Sequence, residues 1–289
     1  MRWDYPGTTQ AARTTDSTRH FPGRVLSFFP LKSLPGRDRM FIPLCILLIT
    51  VLAWAYLVHL DRQMSADLDY EKAMAAMGMS GSQGWTLVDA LLAFAMWTVM
   101  MIGMMTPAAA PVILLFASMQ SERIGRGTSL EILLFALGYA AIWSGFSAVA
   151  AGFQLALHEA AQLSTSMAVT GGYWSGAILI AVGLYQWSSL KSMCLTHCRS
   201  PLGFLMTNWR AGKLGAFQMG WRHGVYCLGC CWALMVVLFA VGVMNLVWVA
   251  LLSGIVLLEK IGPRSATIAK VVGVGLVVFG VATIAHLVR

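Results

Sequence analysis

The sequence predicts an all-α polytopic membrane protein with about seven transmembrane helices. Hydrophobic residues make up 58% of the 289 positions and charged residues only 11%, whereas a soluble domain carries about 25% charged residues. Several apolar stretches reach the roughly 20 residues that a helix needs to cross the hydrocarbon core of a bilayer. Helices are expected because a backbone inside lipid has to satisfy its own hydrogen bonds.

The apolar stretches define the predicted spans in order along the chain. They cover about 41–60, 86–119, 130–157, 172–190, a stretch that starts near Tyr226, 245–259 and 265–288. Residues 1–40 are rich in arginine and lack periodicity, so we expect a disordered basic cytoplasmic tail before a transmembrane domain of residues 41–289. Between the fourth and fifth spans we expect a cytoplasmic cysteine-rich loop, residues 191–226.

The lysines and arginines predict the orientation of these spans. All of them except Arg62, Lys72 and Arg289 fall on the same side of the seven predicted helices. Because short cytoplasmic loops carry an excess of positive charge, this places the N-terminus in the cytoplasm and the protein in the inner (cytoplasmic) membrane. The net charge of +8 lies in short segments between apolar spans, so it does not indicate nucleic-acid binding.

Five of the six cysteines form two tight groups at the predicted cytoplasmic edge of the membrane. The cytosol keeps thiols reduced, so metal binding or redox chemistry is favoured over a structural disulfide. Placed in the first turn of the fifth span, the second group would share one helix face and benefit from the helix dipole, which favours thiolate. The predicted ligands are Cys194, His197, Cys198, Cys227, Cys230 and Cys231. Such a set suits tetrahedral zinc or Cu(I).

A run of methionines in the second predicted span offers a second set of soft ligands. Thioethers suit Cu(I), although methionine at helical spacing also serves simply as packing. The candidates are Met100, Met101, Met104 and Met105. Pro107 lies in the same helix and cannot donate to the carbonyl of Gly103, so that oxygen needs another partner.

Two further patterns are weaker. Met96-Trp97-Thr-Val-Met100 is similar to Cys231-Trp232-Ala-Leu-Met235, and the two would lie on helices of opposite direction, as in three-plus-three inverted repeats of transporters. Glu259-Lys260 is interpreted as an interfacial pair whose lysine extends to the membrane surface. His223, just before Tyr226-Cys227, is a weaker candidate ligand than His197, and the alternative is a place in a basic interfacial stretch.

Four stretches together resemble a bacterial family of predicted metal-binding integral membrane proteins. They are MWTVMMIGMMTP, YQWSSLKSMCLTHCRSP, GWRHGVYCLGCCWALM and GVMNLVWVALLSGIVLLEK, and they span roughly residues 85–260. The resemblance implies that the five clustered cysteines form the metal site. It implies neither the identity of the metal nor a transport or catalytic activity.

The favoured function is binding of a soft metal ion, copper before zinc, in metal transport or homeostasis. One alternative is a transmembrane thiol–disulfide electron carrier, and another is a transporter with a structural zinc site. No hydrolase triad, phosphate-binding glycine loop or HExxH motif is present, so an enzyme is not expected. The expected partners are the lipid bilayer and the metal ion, with no nucleic acid, and the sequence does not identify protein partners.

Overall fold

The computed structural model describes residues 38–76, 86–124, 129–160, 172–243 and 245–288. The predicted tail 1–40 therefore lies almost entirely outside the described residues. The described part is helical and contains no strand. Its helices are α1 (Asp38–Ala76), α2 (Leu87–Ile124), α3 (Ser129–Glu159), α4 (Gly172–Tyr185), α5 (Ser189–Arg199), α6 (Pro201–Asn208), α7 (Gly212–Val241), α8 (Leu246–Ile261) and α9 (Ser265–Val288).

Several of these helices are long and apolar enough to cross a membrane, which confirms the predicted fold class. Five of them, α1, α2, α3, α7 and α9, qualify individually within the described part of the chain. Helices α4 and α5 qualify together, as one broken span or re-entrant segment with a bend of 62°. Helix α8, predicted as the sixth span, has 16 residues and is shorter than the roughly 20 residues of a full crossing.

Residues 191–226 differ most from the prediction, because they fold as helices and not as a loop. Ser188 caps α5 by accepting a hydrogen bond from the Lys191 backbone N–H, and Pro201 begins α6, where its missing N–H costs nothing. Helix α7 starts at Gly212, whose φ of +82° suits glycine, and not near Tyr226. The second cysteine group therefore lies near the middle of α7, so the predicted placement in a first helical turn is wrong.

Helix α7 approaches α3 through glycines. A Cβ atom added at Gly220 would overlap the carbonyl oxygen of Phe135, and one added at Gly138 would overlap that of Phe217. Backbone stands directly against backbone at this crossing, as small residues allow in membrane helix pairs. Because α7 carries three of the cysteines and α3 carries Tyr139, which contacts one of them, this crossing fixes one wall of the candidate site.

We expect Gly220→Ala to destabilise the fold by about 1–3 kcal/mol or more, because neither helix backbone can yield to the added methyl group. Gly145→Ala on α3 is the matched control, since nothing lies within 4 Å of a Cβ at that position. It should be neutral or stabilising by roughly 0.5–1 kcal/mol, the usual helical preference for alanine over glycine. Unfolding in detergent, followed by circular dichroism, measures both. Equal stability of the two variants would contradict the close approach.

The Gly103 carbonyl of α2 accepts a hydrogen bond from a neighbouring helix. Trp54 of α1 donates its indole N–H to the Gly103 oxygen at 3.3 Å, which is the carbonyl that Pro107 leaves without a helical donor. Helix α2 continues through both Pro107 and Pro111. The contact ties α1 to α2 beside the methionine run.

Candidate metal site

The structure brings the two cysteine groups together. Cys198 near the end of α5 and Cys230 on α7 are buried, and their sulfur atoms lie 3.9 Å apart. Cys194, one turn earlier on α5, is half-buried against α7, where a Cβ at Gly229 would lie 2.7 Å from its Sγ. Tyr185 at the end of α4 also donates to the Gly229 carbonyl, at 2.5 Å. The missing side chain of Gly229 thus leaves room for Cys194 of α5, and its carbonyl joins α7 to α4.

The methionine run meets the same cluster. Cys231 Sγ lies 3.9 Å from the thioether sulfur of Met105 on α2. Met100, Met101 and Met104 are fully buried in the same core. Thiols from α5 and α7 and a thioether from α2 therefore occupy one buried region.

Each of the two sulfur–sulfur distances suits a pair of ligands bound to the same ion. With metal–sulfur bonds of about 2.3 Å, two sulfur ligands lie about 3.8 Å apart at a tetrahedral angle and about 4.6 Å apart when the ion is linear. Within α7, the thiols of Cys230 and Cys231 donate weak hydrogen bonds to the Cys227 carbonyl at 3.1 and 2.8 Å. Among the residues that the structure describes, no three histidine, cysteine, aspartate or glutamate side chains are already arranged to hold a metal ion.

Cys227 faces polar groups from two other helices. The Tyr139 hydroxyl lies 3.0 Å from its sulfur, and the same hydroxyl donates to the Met105 carbonyl at 3.3 Å. Lys260 of α8 donates from Nζ to Cys227 Sγ at 2.8 Å. A buried ammonium offsets the negative charge that thiolate ligands bring into the interior. The interpretation of Lys260 as an interfacial residue is therefore corrected, because its side chain turns inward and is 8% exposed.

Glu259, next to Lys260, is also buried and pairs with Lys191. Lys191 Nζ lies 2.7 and 2.9 Å from the two carboxylate oxygens, and it also donates to Gln186 Oε1. This ion pair joins α5 to α8 and thereby holds the helix that carries Cys194 and Cys198. Sequence spacing gives no signal for a pair 68 residues apart.

The two candidate histidines lie in different environments. His197, a predicted ligand, is exposed, its Nδ1 lies 2.9 Å from the Met193 carbonyl, and its ring stacks on Tyr226. His223, the weaker candidate ligand, is buried on α7 at 2% exposure, so the alternative of an interfacial position is wrong. Its only sequence signal is its place four residues before Cys227, which puts both on one helix face.

Comparison with known proteins gives one family. A family model described as PpoB2, copper chaperone, matches residues 94–283. The match includes every cysteine and methionine of the cluster and ends within α9. No curated protein and no solved structure matches the chain.

Proposed function

The chain belongs to the PpoB2 copper chaperone family, and we propose that it is an integral membrane protein that binds Cu(I) as its cargo in copper transport or homeostasis. The observation that carries this proposal is the pairing of Cys198 with Cys230 and of Cys231 with Met105, each at 3.9 Å. Soft thiolate and thioether ligands select Cu(I) over the hard divalent ions.

The thioether favours copper over zinc. Structural zinc sites take four ligands from cysteine and histidine, whereas Cu(I) accepts fewer ligands and methionine sulfur among them. We therefore propose Cys198, Cys227, Cys230, Cys231 and Met105 as the principal ligands, with Cys194 at the edge of the cluster. His197 is the weakest of the predicted ligands, because its side chain is exposed whereas Cys198, Cys230 and Met105 are buried.

The remaining methionines suggest a route for the ion away from the cysteines. From Met105, the buried side chains of Met104, Met101 and Met100 follow α2 backwards. Met96 and Met100 then line a small cavity that also contains Asp61 of α1. We propose that these thioethers offer successive weak sites for Cu(I) between the thiol cluster and the opposite membrane face. The proposed orientation has the N-terminus in the cytoplasm, with the protein in the inner membrane, as the charge distribution predicts.

A thiol–disulfide carrier is the second candidate, and the neighbouring sulfurs of Cys198 and Cys230 favour it. It would use one dithiol pair and would leave Cys231 and Met105 without a role. Such a carrier should be trapped as a mixed disulfide with a thioredoxin-like protein, whereas a copper protein should not depend on that exchange.

Metal analysis of the purified full-length protein tests the proposal. We expect about one Cu(I) per chain after anaerobic loading in detergent and removal of weakly bound metal, because the sulfur cluster is buried and soft. Elemental analysis gives the stoichiometry, and parallel loading with zinc tests selectivity. Zinc bound in preference to copper would instead indicate a structural zinc site. No retained metal would contradict the proposal and leave the thiol–disulfide carrier.

A further inference from the structure

His223 is a buried imidazole without a hydrogen-bond partner. Both ring nitrogens are inaccessible to solvent, and neither has a partner among the described residues. Buried polar groups in native proteins are normally paired, so an unpaired one calls for a missing ligand, ion or water. The ring is held between aromatic side chains, since it stacks on Tyr139 at a centroid distance of 5.6 Å and makes a tilted contact with Phe204 at 5.3 Å.

The position of His223 places it beside the sulfur cluster. It precedes Cys227 by four residues on α7, so the two side chains are neighbours on one helix face. Ligands at this spacing can share an ion, as the two histidines of a helical HExxH motif share zinc. Tyr139 links the two groups, because its ring stacks on His223 while its hydroxyl lies 3.0 Å from Cys227 Sγ.

We propose that His223 is a further ligand of the copper ion and supplies an imidazole nitrogen next to Cys227. This inference rests on the proposed copper function and deepens it. Imidazole is a suitable copper ligand, and a neutral ring adds no negative charge to a site that is already crowded with thiols. The Lys260 ammonium donates to Cys227 and offsets negative charge of the thiolates. A neutral imidazole ligand adds no further charge that the protein interior would have to compensate.

X-ray absorption spectroscopy of the Cu(I)-loaded full-length protein tests the ligand directly. We expect sulfur at about 2.3 Å together with one nitrogen at about 2.0 Å. His223→Phe keeps an aromatic ring in the stack and removes both nitrogens. It should lose the nitrogen shell and weaken Cu(I) binding by at least about 100-fold in competition with a Cu(I) chelator, because loss of a direct ligand should exceed the effect of losing a supporting contact. His59→Phe, at an exposed position of α1, is the matched control, and it should keep both the nitrogen shell and the affinity.

The possible results separate this inference from the function on which it rests. Copper bound through sulfur alone in the wild-type protein would overturn the role of His223 and leave the copper function intact. A nitrogen shell that persists in His223→Phe, or disappears in His59→Phe, would also overturn it. A wild-type protein that retains no copper would overturn both. Because the wild-type spectrum decides the first point, the test does not depend on the folding of the variant.

Discussion

Cys230→Ser is expected to weaken Cu(I) binding by at least about 100-fold, since loss of a direct ligand should exceed the 10- to 100-fold effect of losing a supporting contact. Cys230 is the buried α7 cysteine whose sulfur faces Cys198 of α5. Serine is close to cysteine in size, so the packing of α7 should survive, but its hydroxyl is a hard oxygen donor that Cu(I) disfavours. The variant thus changes the chemistry of one ligand with little change in volume.

Cys45→Ser is the matched control for this experiment. Cys45 is a half-buried cysteine on α1 and lines an apolar cavity of about 410 Å³ between α1 and α3. The same substitution there should leave the affinity for Cu(I) unchanged. Competition titration with a Cu(I) chelator measures both proteins, and circular dichroism checks that each is folded. Equal affinities of the two variants would remove Cys230 from the site.

The sequence predicts the fold class and the cysteines of the candidate site because both depend on local signals. Apolar stretches of membrane length are visible in any window of about 20 residues. The sequence places the two cysteine groups at a similar predicted depth, but it does not predict that Cys198 meets Cys230. In the structure the two groups meet because α5 packs on the middle of α7, where Gly229 leaves room for Cys194.

The start of α7 was missed because its first turns are not apolar. Lys213 and Arg222 lie within this helix and are exposed, and long cationic side chains can lie along a helix while their charges reach water. An apolar window therefore detects the helix only from about Tyr226. A helix that began near Tyr226 would have Cys227 in its first turn, whereas Cys227 lies in mid-helix. The helix dipole therefore does not favour its thiolate form.

The buried charges were missed for a different reason. Lysine and glutamate are almost never buried without a partner, and the partner of Glu259 lies in α5, far away in the sequence. Judged from sequence alone, an interfacial position costs less desolvation free energy than burial for Glu259-Lys260. Tertiary packing stabilises the buried position instead, because Lys191 pairs with the Glu259 carboxylate and Cys227 accepts a hydrogen bond from the Lys260 ammonium.

Lys191→Met is expected to destabilise the protein by about 3–5 kcal/mol, because it leaves the Glu259 carboxylate buried without its counter-charge. Both side chains of the pair are 2% exposed, so water cannot replace the lost ammonium. Lys213→Met is the matched control, since Lys213 is exposed at the start of α7 and its loss should change stability little. Thermal unfolding in detergent compares the two variants.

The double variant Lys191→Met/Glu259→Leu separates the ion pair from the rest of α5. Replacing both charges by apolar groups removes the desolvation penalty along with the attraction, so most of the lost stability should return. If the double variant were as unstable as Lys191→Met alone, packing of the lysine stem and not the charge would hold α5 to α8. Because Lys260, and not Lys191, contacts Cys227, the restored double variant should also keep its affinity for Cu(I). Stability and copper binding would then depend on two neighbouring but separable charges.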